Sequence, residues 1–142
     1  MKKNSVVFIS PHNIGPYIIP SRIQNYCANY YAYENKLNIK SIVNEGLYGE
    51  NLNKLKVILL NDSLLETIFI SIYQLNFSKN ISLFIKNFGS RKFHFLLERK
   101  KTNNKQNLNN LVSEMKLFNK IERIQTKDFV SYKHLYNSLK KK

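Results

Sequence analysis

Short apolar runs alternate along the chain with longer stretches in which apolar residues recur every three or four positions. A short continuous apolar run bounded by turn residues is typical of a buried strand. The runs that predict strands are Val6–Ile9, Ile39–Val43, Thr67–Tyr73 and Phe93–Leu97, with Ile121–Ile124 as a candidate for a short fifth strand. Thr67–Tyr73 is the strongest signal, because it is rich in β-branched and aromatic residues. The polar stretch over 100–106 predicts a loop.

The stretch after Pro20 has helical spacing, and Ser21 is its predicted N-cap. The predicted apolar stripe of this helix consists of Ile23, Tyr26, Cys27, Tyr30, Tyr33 and Leu37. Because Cys27 lies on that stripe, its thiol is expected to be buried and unreactive. Gln24 and Asn25 fall largely off the stripe, close to the start of the helix.

Four later stretches also show helical spacing. Asn51 is the predicted N-cap of the second helix and Ser78 that of the third. A clean apolar stripe over 108–118 predicts a fourth helix. Thr126 is the predicted cap of a last amphipathic helix over about 126–140, whose polar side is basic.

The order of these elements alternates strictly between strands and helices. Such alternation predicts an α/β fold, in which a mostly parallel sheet is covered by helices on both faces. Short, right-handed crossovers would give a flavodoxin-like three-layer arrangement with four or five strands. We therefore expect a single domain over residues 1–142, with a core of about 5–125 followed by the C-terminal helix.

The amino-acid composition indicates the general class of protein. Apolar residues make up 43% of the chain and aromatic residues 13%, which is enough for a packed core. No apolar run approaches the roughly 18 residues of a membrane span, and the apolar part of the amino terminus is too short for a secretory signal. The sequence therefore predicts a soluble, cytoplasmic protein.

Several chemistries lack their motifs. The four glycines form neither GxGxxG nor GxxxxGK[ST], so the sequence contains no glycine-rich phosphate loop. The single cysteine excludes a cysteine-based zinc site, and neither HExxH nor G-x-S-x-G is present. We therefore expect no metal and no cofactor.

The net charge of +14 raises the question of nucleic-acid binding. The chain holds 19 Lys but only 4 Arg, together with 20 Asn and 15 Ile. Lys, Asn and Ile share A- and T-rich codons, so the composition of the genome can raise all three together. Arginine, which reads bases and phosphates by bidentate contacts, is scarce. A basic nucleic-acid-binding module is therefore kept as an alternative rather than the leading interpretation.

Candidate site residues follow from the predicted sheet, since ligands of open parallel sheets bind outside the carboxyl ends of the strands. The polar residues at those ends are Ser10, His12, Asn13, Asn44, Glu45, Tyr73, Gln74, Glu98 and Arg99. Arg22, Gln24 and Asn25 begin the first helix, which follows the first strand directly and faces the same rim.

Three of these residues suit catalysis. Ser10 could act as a nucleophile, His12 as a general base and Glu98 as a general acid. A turn serine, an exposed loop histidine and a surface carboxylate are the structural alternatives. The residues expected to bind substrate are Arg22, Gln24, Asn25, Tyr73, Gln74 and Arg99. His94, between Phe93 and Phe95, is interpreted as a structural histidine that points opposite to both.

Three motifs resemble one family. They are Pro20-x-x-x-Gln24-Asn25 at the first helix, Ser71-x-Tyr73-Gln74-Leu75 at the third strand end and His94-Phe95-x-x-Glu98 at the fourth. Their order and spacing resemble those of the sporadic carbohydrate cluster family of bacterial proteins, over roughly residues 6–125. The chain departs from that family at 29–32, where Asn-Tyr-Tyr-Ala replaces Arg-Asp-Tyr-Cys.

This resemblance implies a role in the biosynthesis or modification of surface polysaccharide, such as lipopolysaccharide or capsule. An anionic sugar derivative, either nucleotide-linked or phosphorylated, is the expected ligand. The positive charge near Arg22 and Arg99 would suit such a ligand. The resemblance does not imply a particular reaction.

A weaker resemblance is to the catalytic domain of serine recombinases, which is also a parallel α/β fold. Phe8-Ile9-Ser10 resembles the strand end of that family without its arginine, and 75–80 lacks the family's Asp and Arg residues. Phosphoryl transfer needs such cations to neutralise charge, so the resemblance implies a shared fold without recombination. A structural or scaffold role, as a dimer formed through the last helix, is the third alternative.

Overall fold

The computed structural model describes residues 2–11, 14–44, 51–118 and 120. The chain divides into two compact units, Met1–Asn109 and Asn110–Lys142. His12, Asn13, Glu45, the predicted strand over 121–124 and the predicted helix over 126–140 lie outside the described residues. None of the helices within those described ranges is long and apolar enough to cross a membrane.

The first unit alternates strands and helices. Its strands are β1 (Lys3–Ile9), β2 (Leu37–Asn44), β3 (Glu66–Phe69), β4 (Phe93–Phe95) and β5 (Lys100–Thr102). Its helices are α1 (Ser21–Glu34), α2 (Asn53–Asn61) and α3 (Ile81–Phe88), with a 3₁₀ helix over Ile72–Phe77. Helical turns over 105–118 begin in the first unit and continue into the sequence of the second.

The sheet confirms the predicted α/β fold class. The strand order is β2-β1-β3-β4-β5, in which the first four strands are parallel and β5 is antiparallel to β4. This order is that of flavodoxin-like sheets, where the crevice for ligands opens at the switch between β1 and β3. The carboxyl ends of β1, β3 and β4 therefore meet at one rim.

The two faces of the sheet carry different side chains. Phe93, Phe95 and Phe69 lie on one face with Phe84 of α3, at ring-centroid distances of 5.4 to 5.9 Å. His94 points to the opposite face, where its ring meets Tyr31 of α1. The large aromatic core thus fills the α3 side, and the α1 side holds the polar chemistry.

The predicted stripe of α1 is wrong. Gln24, Ala28 and Ala32 form its buried face, whereas Tyr26, Tyr30 and Tyr33 are exposed. Small alanines permit a close approach of the helix to the sheet, and Gln24 is tolerated because backbone groups bind its amide. Cys27, predicted to be buried, is exposed for the same reason.

Several boundaries also differ from those predicted. The third strand ends at Phe69 rather than Tyr73, because Ser71 and Gln74 form a capping box that begins the 3₁₀ helix. The stretch predicted as a loop after Arg99 forms β5. The N-caps are Pro20, Leu52 and Asn80, each one or two residues away from the predicted Ser21, Asn51 and Ser78.

Candidate functional site

Gln24 fixes the loop between β1 and α1. Its Oε1 accepts a hydrogen bond from the Ser10 backbone N–H at 3.0 Å. Its Nε2 donates to the carbonyl oxygens of Ser10 at 2.7 Å and Ile19 at 2.8 Å. The side chain is fully buried, so these bonds replace the water that its amide would otherwise hold.

Gln74 performs the same task between β1 and β3. Its Oε1 accepts from the backbone N–H groups of Ile70 at 2.7 Å and Ser71 at 3.3 Å. Its Nε2 donates to the Phe8 carbonyl at 3.2 Å and to Ser10 Oγ at 3.0 Å. The amide therefore bridges two neighbouring strand ends at the switch point of the sheet.

Glu98 binds the start of the 3₁₀ helix. Its carboxylate accepts from Ser71 Oγ at 2.8 Å and from the Ile72 backbone N–H at 2.7 Å. Glu98, Gln74 and Gln24 thus form one layer of side chains that holds the rim in place. The structure brings these three predicted residues together, and their polar groups bind the protein itself. Direct contacts of these residues with substrate stay a prediction.

The other predicted residues within the described ranges occupy varied positions. Arg22 is exposed on the first turn of α1, and Arg99 is exposed after β4 with a left-handed backbone. The Asn25 Oδ1 atom is buried without a hydrogen-bond partner among the described residues. Tyr73 is buried, with its ring edge-on to Tyr17 at 6.0 Å. His12 lies outside the described residues.

The Tyr73 ring leaves no space for a side chain at Gly15. Gly15 has a φ of +57°, and a Cβ added there would overlap the Tyr73 ring. We expect Gly15→Ala to lower the free energy of unfolding by about 1–3 kcal/mol through backbone strain and this overlap. Urea denaturation of the wild type, of Gly15→Ala, of Tyr73→Ala and of the double variant measures the effect. The cost of the glycine change should be smaller in the Tyr73→Ala background, and equal costs in both backgrounds would contradict the contact.

A groove of about 560 Å³ runs between α1 and the β4–β5 hairpin. Its size lies within the usual range of small-molecule sites. One wall consists of Tyr26, Cys27, Tyr30, Tyr31 and Glu34 of α1, and the opposite wall includes Leu96, Leu97, Arg99, Lys100 and Lys101. From Gln24 to Glu34 the groove follows α1 for about 15 Å at the helical rise per residue. It therefore begins at the rim and continues along the α1 face of the sheet.

Tyr31 connects this groove to a buried hydrogen-bonded pair, His94 and Glu66. The Tyr31 hydroxyl lies 2.6 Å from His94 Nδ1, and His94 Nε2 lies 2.7 Å from Glu66 Oε1. His94 is 2% exposed and Glu66 is 4% exposed. Lys92 Nζ lies 3.7 Å from the Glu66 carboxylate and Lys3 Nζ 4.0 Å from it, at the amino end of the sheet.

The protonation states of this chain follow from burial and charge. Burial lowers the pKa of His94, against the opposing effect of its hydrogen bond with Glu66 and of the negative charge there; Lys92 and Lys101 lower it further. Burial, and then the negative charge of Glu66, raise the pKa of Tyr31. Near neutral pH these two directions favour a neutral phenol at Tyr31 and a neutral imidazole at His94.

The lowered pKa of His94 predicts a pH dependence of stability. The unfolded chain binds the proton more tightly, so the contribution of His94 is complete above its ordinary pKa of about 6.5 and is lost as pH falls below that value. We expect the wild type to lose more free energy of unfolding than His94→Gln between about pH 7.5 and pH 5.5. The other two histidines are common to both proteins, so their effects cancel. Equal losses in urea denaturation would contradict the lowered pKa.

Sequence reasoning missed Tyr31 and Glu66. Tyr31 lies between two exposed tyrosines, and Glu66 stands at the first position of a strand, where a solvated carboxylate is ordinary. The available signal was His94 itself, since a histidine inside an apolar strand needs a partner for each ring nitrogen. Its interpretation as a histidine opposite in direction to Phe93 and Phe95 agrees with the register.

The first unit is a flavodoxin-like α/β fold with a groove of about 560 Å³ on its α1 face. No protein-family model matches the sequence, and a search of curated proteins finds no significant match. No cluster of three or more His, Cys, Asp or Glu side chains suited to a metal ion occurs within the described part of the chain. The groove and the motifs at the rim are the features of the described residues that bear on function.

Proposed function

We propose that the protein binds a nucleotide-linked or phosphorylated sugar in the groove beside α1 and serves in the biosynthesis or modification of bacterial surface polysaccharide. The observation that carries this proposal is the pairing of an aromatic wall with a basic wall. Tyr26, Tyr30 and Tyr31 stand on one side, and Arg99, Lys100 and Lys101 stand on the other. Tyrosine faces suit stacking on sugars and bases, and the cations suit phosphate.

The charge of the groove favours an anionic ligand over a neutral one. Glu34 is the single carboxylate among its lining residues, whereas three lining residues are cationic. The groove is largely apolar between these charges, so a bound phosphate would interact with the cations in a less polar setting than bulk water. Arg99 can bind phosphate bidentately, and its position just after β4 places it on the rim.

The resemblance to the sporadic carbohydrate cluster family supports the class of ligand. Its motifs fall at Gln24, Gln74 and Glu98, which together fix the rim where the groove begins. We infer that these residues position the loops around the ligand rather than supply most of its contacts. The family's association with surface-polysaccharide genes then suggests a sugar derivative as the anion.

A binding screen tests this function. The purified protein is titrated calorimetrically with UDP-glucose, UDP-N-acetylglucosamine, GDP-mannose, glucose 1-phosphate and a short DNA duplex. We expect at least one sugar derivative to bind, and to raise the melting temperature by mass action. The Arg99→Gln/Lys100→Gln double variant should bind about tenfold more weakly, equal to about 1.4 kcal/mol.

A matched control distinguishes the effect of cations in the groove from the effect of the net charge of the protein. Lys86 lies on α3, on the other face of the sheet, so Lys86→Gln should leave the affinity for the sugar derivative unchanged. An equal loss in both variants would place the anion outside the groove. Binding of DNA alone, with a steep loss in salt, would favour the nucleic-acid-binding alternative instead.

A further inference from the structure

The chain from Tyr31 through His94 to Glu66 has the connectivity of an acid–base relay. Tyr31 lines the groove, His94 bonds it at 2.6 Å, and Glu66 bonds the other ring nitrogen at 2.7 Å. We propose that Tyr31 is the general base of the groove, which takes a proton from the hydroxyl of an acceptor while its own proton passes to His94. This inference rests on the proposed function, because it takes a nucleotide-linked sugar as the donor.

The tautomer of His94 sets the direction of the relay. An ionised Glu66 can only accept hydrogen bonds, so the ring hydrogen of neutral His94 lies on Nε2. Nδ1 is then an acceptor, and the Tyr31 hydroxyl donates to it. This leaves the lone pairs of the Tyr31 oxygen available to accept a proton from a ligand in the groove that Tyr31 lines.

The transfer balances without any further reagent. The acceptor O–H bond breaks and an O–H bond forms at Tyr31, while the original Tyr31 O–H bond breaks and an N–H bond forms at His94 Nδ1. The acceptor oxygen attacks the anomeric carbon of the donor, and the nucleoside diphosphate leaves with the electron pair of the broken C–O bond. The proton on Nδ1 then returns through Tyr31 to water.

Glu66 makes this transfer feasible in a buried setting. An imidazolium at His94 would be costly at 2% exposure without an adjacent negative charge. The carboxylate supplies that charge at hydrogen-bond distance, while Lys92 and Lys101 act against the imidazolium. The raised pKa of Tyr31 argues against a resting tyrosinate, so the phenol conducts the proton rather than storing a charge.

The first test needs no ligand. Nitrogen-15 NMR of the histidine rings reports which nitrogen of His94 carries hydrogen, and the relay requires Nε2–H near neutral pH. Tyr31→Phe should move the Nδ1 resonance toward that of an unbonded ring nitrogen. A hydrogen on Nδ1 in the wild type would overturn the proposal.

The second test uses UDP-glucose, UDP-N-acetylglucosamine and GDP-mannose, with water as the acceptor and release of the nucleoside diphosphate as the readout. Tyr31→Phe is expected to reduce turnover by about 100-fold or more while the calorimetric affinity is retained. Turnover by the wild type should rise between mildly acidic and neutral pH, because His94 must be neutral to accept the proton. His94→Gln should reduce turnover and remove this pH dependence. Tyr33→Phe is the matched control, since Tyr33 is exposed on the same helix and does not line the groove.

The outcomes separate the two proposals. Failure of every sugar nucleotide and sugar phosphate to bind would refute the proposed function, and the relay with it. Binding without turnover of any of the three donors would refute the relay alone. Turnover that falls less than tenfold in Tyr31→Phe would also refute the relay and leave the binding function intact.

Discussion

Gln74→Leu should destabilise the protein by about 3–5 kcal/mol. The variant keeps the size of the side chain but leaves the Ile70 N–H and the Phe8 carbonyl without their partner in a fully buried position. Each buried group left unpaired costs about 1–3 kcal/mol, and the bonds to Ser71 and Ser10 are lost as well. Urea denaturation gives the free energy of unfolding directly, and a typical domain has about 5–15 kcal/mol in total.

Gln106 offers the matched control for that experiment. It is exposed within the helical turns over 105–118, so Gln106→Leu should change the free energy of unfolding by less than about 0.5 kcal/mol. A loss below about 1 kcal/mol for Gln74→Leu would show that its amide does not connect β1 to β3.

Phe69→Ala should have a comparable effect through packing alone. Phe69 is fully buried, and its ring lies 5.4 to 5.8 Å from the rings of Phe8, Phe93 and Phe95. Truncation of a buried phenylalanine costs about 3–5 kcal/mol, because apolar surface is lost and a cavity remains.

The same denaturation measurement includes Phe118→Ala, in which the phenylalanine is 59% exposed. That control should lie within about 1 kcal/mol of the wild type. If the two alanine variants were equally stable, the aromatic layer between the sheet and α3 would not be the main core of the first unit.

The two glutamines differ in function from what their sequence positions suggested. Gln24 lies at the start of α1, and Gln74 lies in the 3₁₀ helix that follows β3. The sequence pattern predicts this edge of the sheet for both, because the edge follows from the α/β alternation alone, but it extends the third strand as far as Tyr73. It does not predict that the backbone N–H groups of Ser10 and Ile70 donate to the side-chain amides of the two glutamines. These hydrogen bonds depend on the distance between neighbouring strand ends, which the sequence pattern does not give.

In α1, the spacing of large apolar residues did not identify the buried face. Its large aromatic residues recur at helical spacing, and sequence reasoning placed them in the core. Ala28 and Ala32 pack on the sheet instead, and Tyr26 and Tyr30 line the groove. Hydrophobic spacing identified the helix but not its buried face, because alanine and a satisfied glutamine are as compatible with burial as tyrosine.

The contacts among Tyr31, His94 and Glu66 could not be predicted from the sequence, although His94 was recognised as a structural histidine. His94 and Glu66 are 28 residues apart, and His94 and Tyr31 are 63 apart. Only the parallel pairing of β3 with β4, and the passage of α1 over that face, bring the three side chains together. A histidine in an apolar strand predicts that both ring nitrogens have hydrogen-bond partners, but it does not predict which residues these are.

The most direct test of the account locates the ligand on the protein. Carbon-13 labelling of the tyrosine rings allows their NMR signals to be followed as the sugar nucleotide or sugar phosphate bound in the calorimetric screen is added, with assignments from single Tyr→Phe variants. We predict shifts of Tyr26, Tyr30 and Tyr31, which line the groove, and an unchanged signal for the buried Tyr73. Shifts confined to tyrosines outside the groove, with Tyr26, Tyr30 and Tyr31 unmoved, would contradict the assignment of the α1 groove as the binding site.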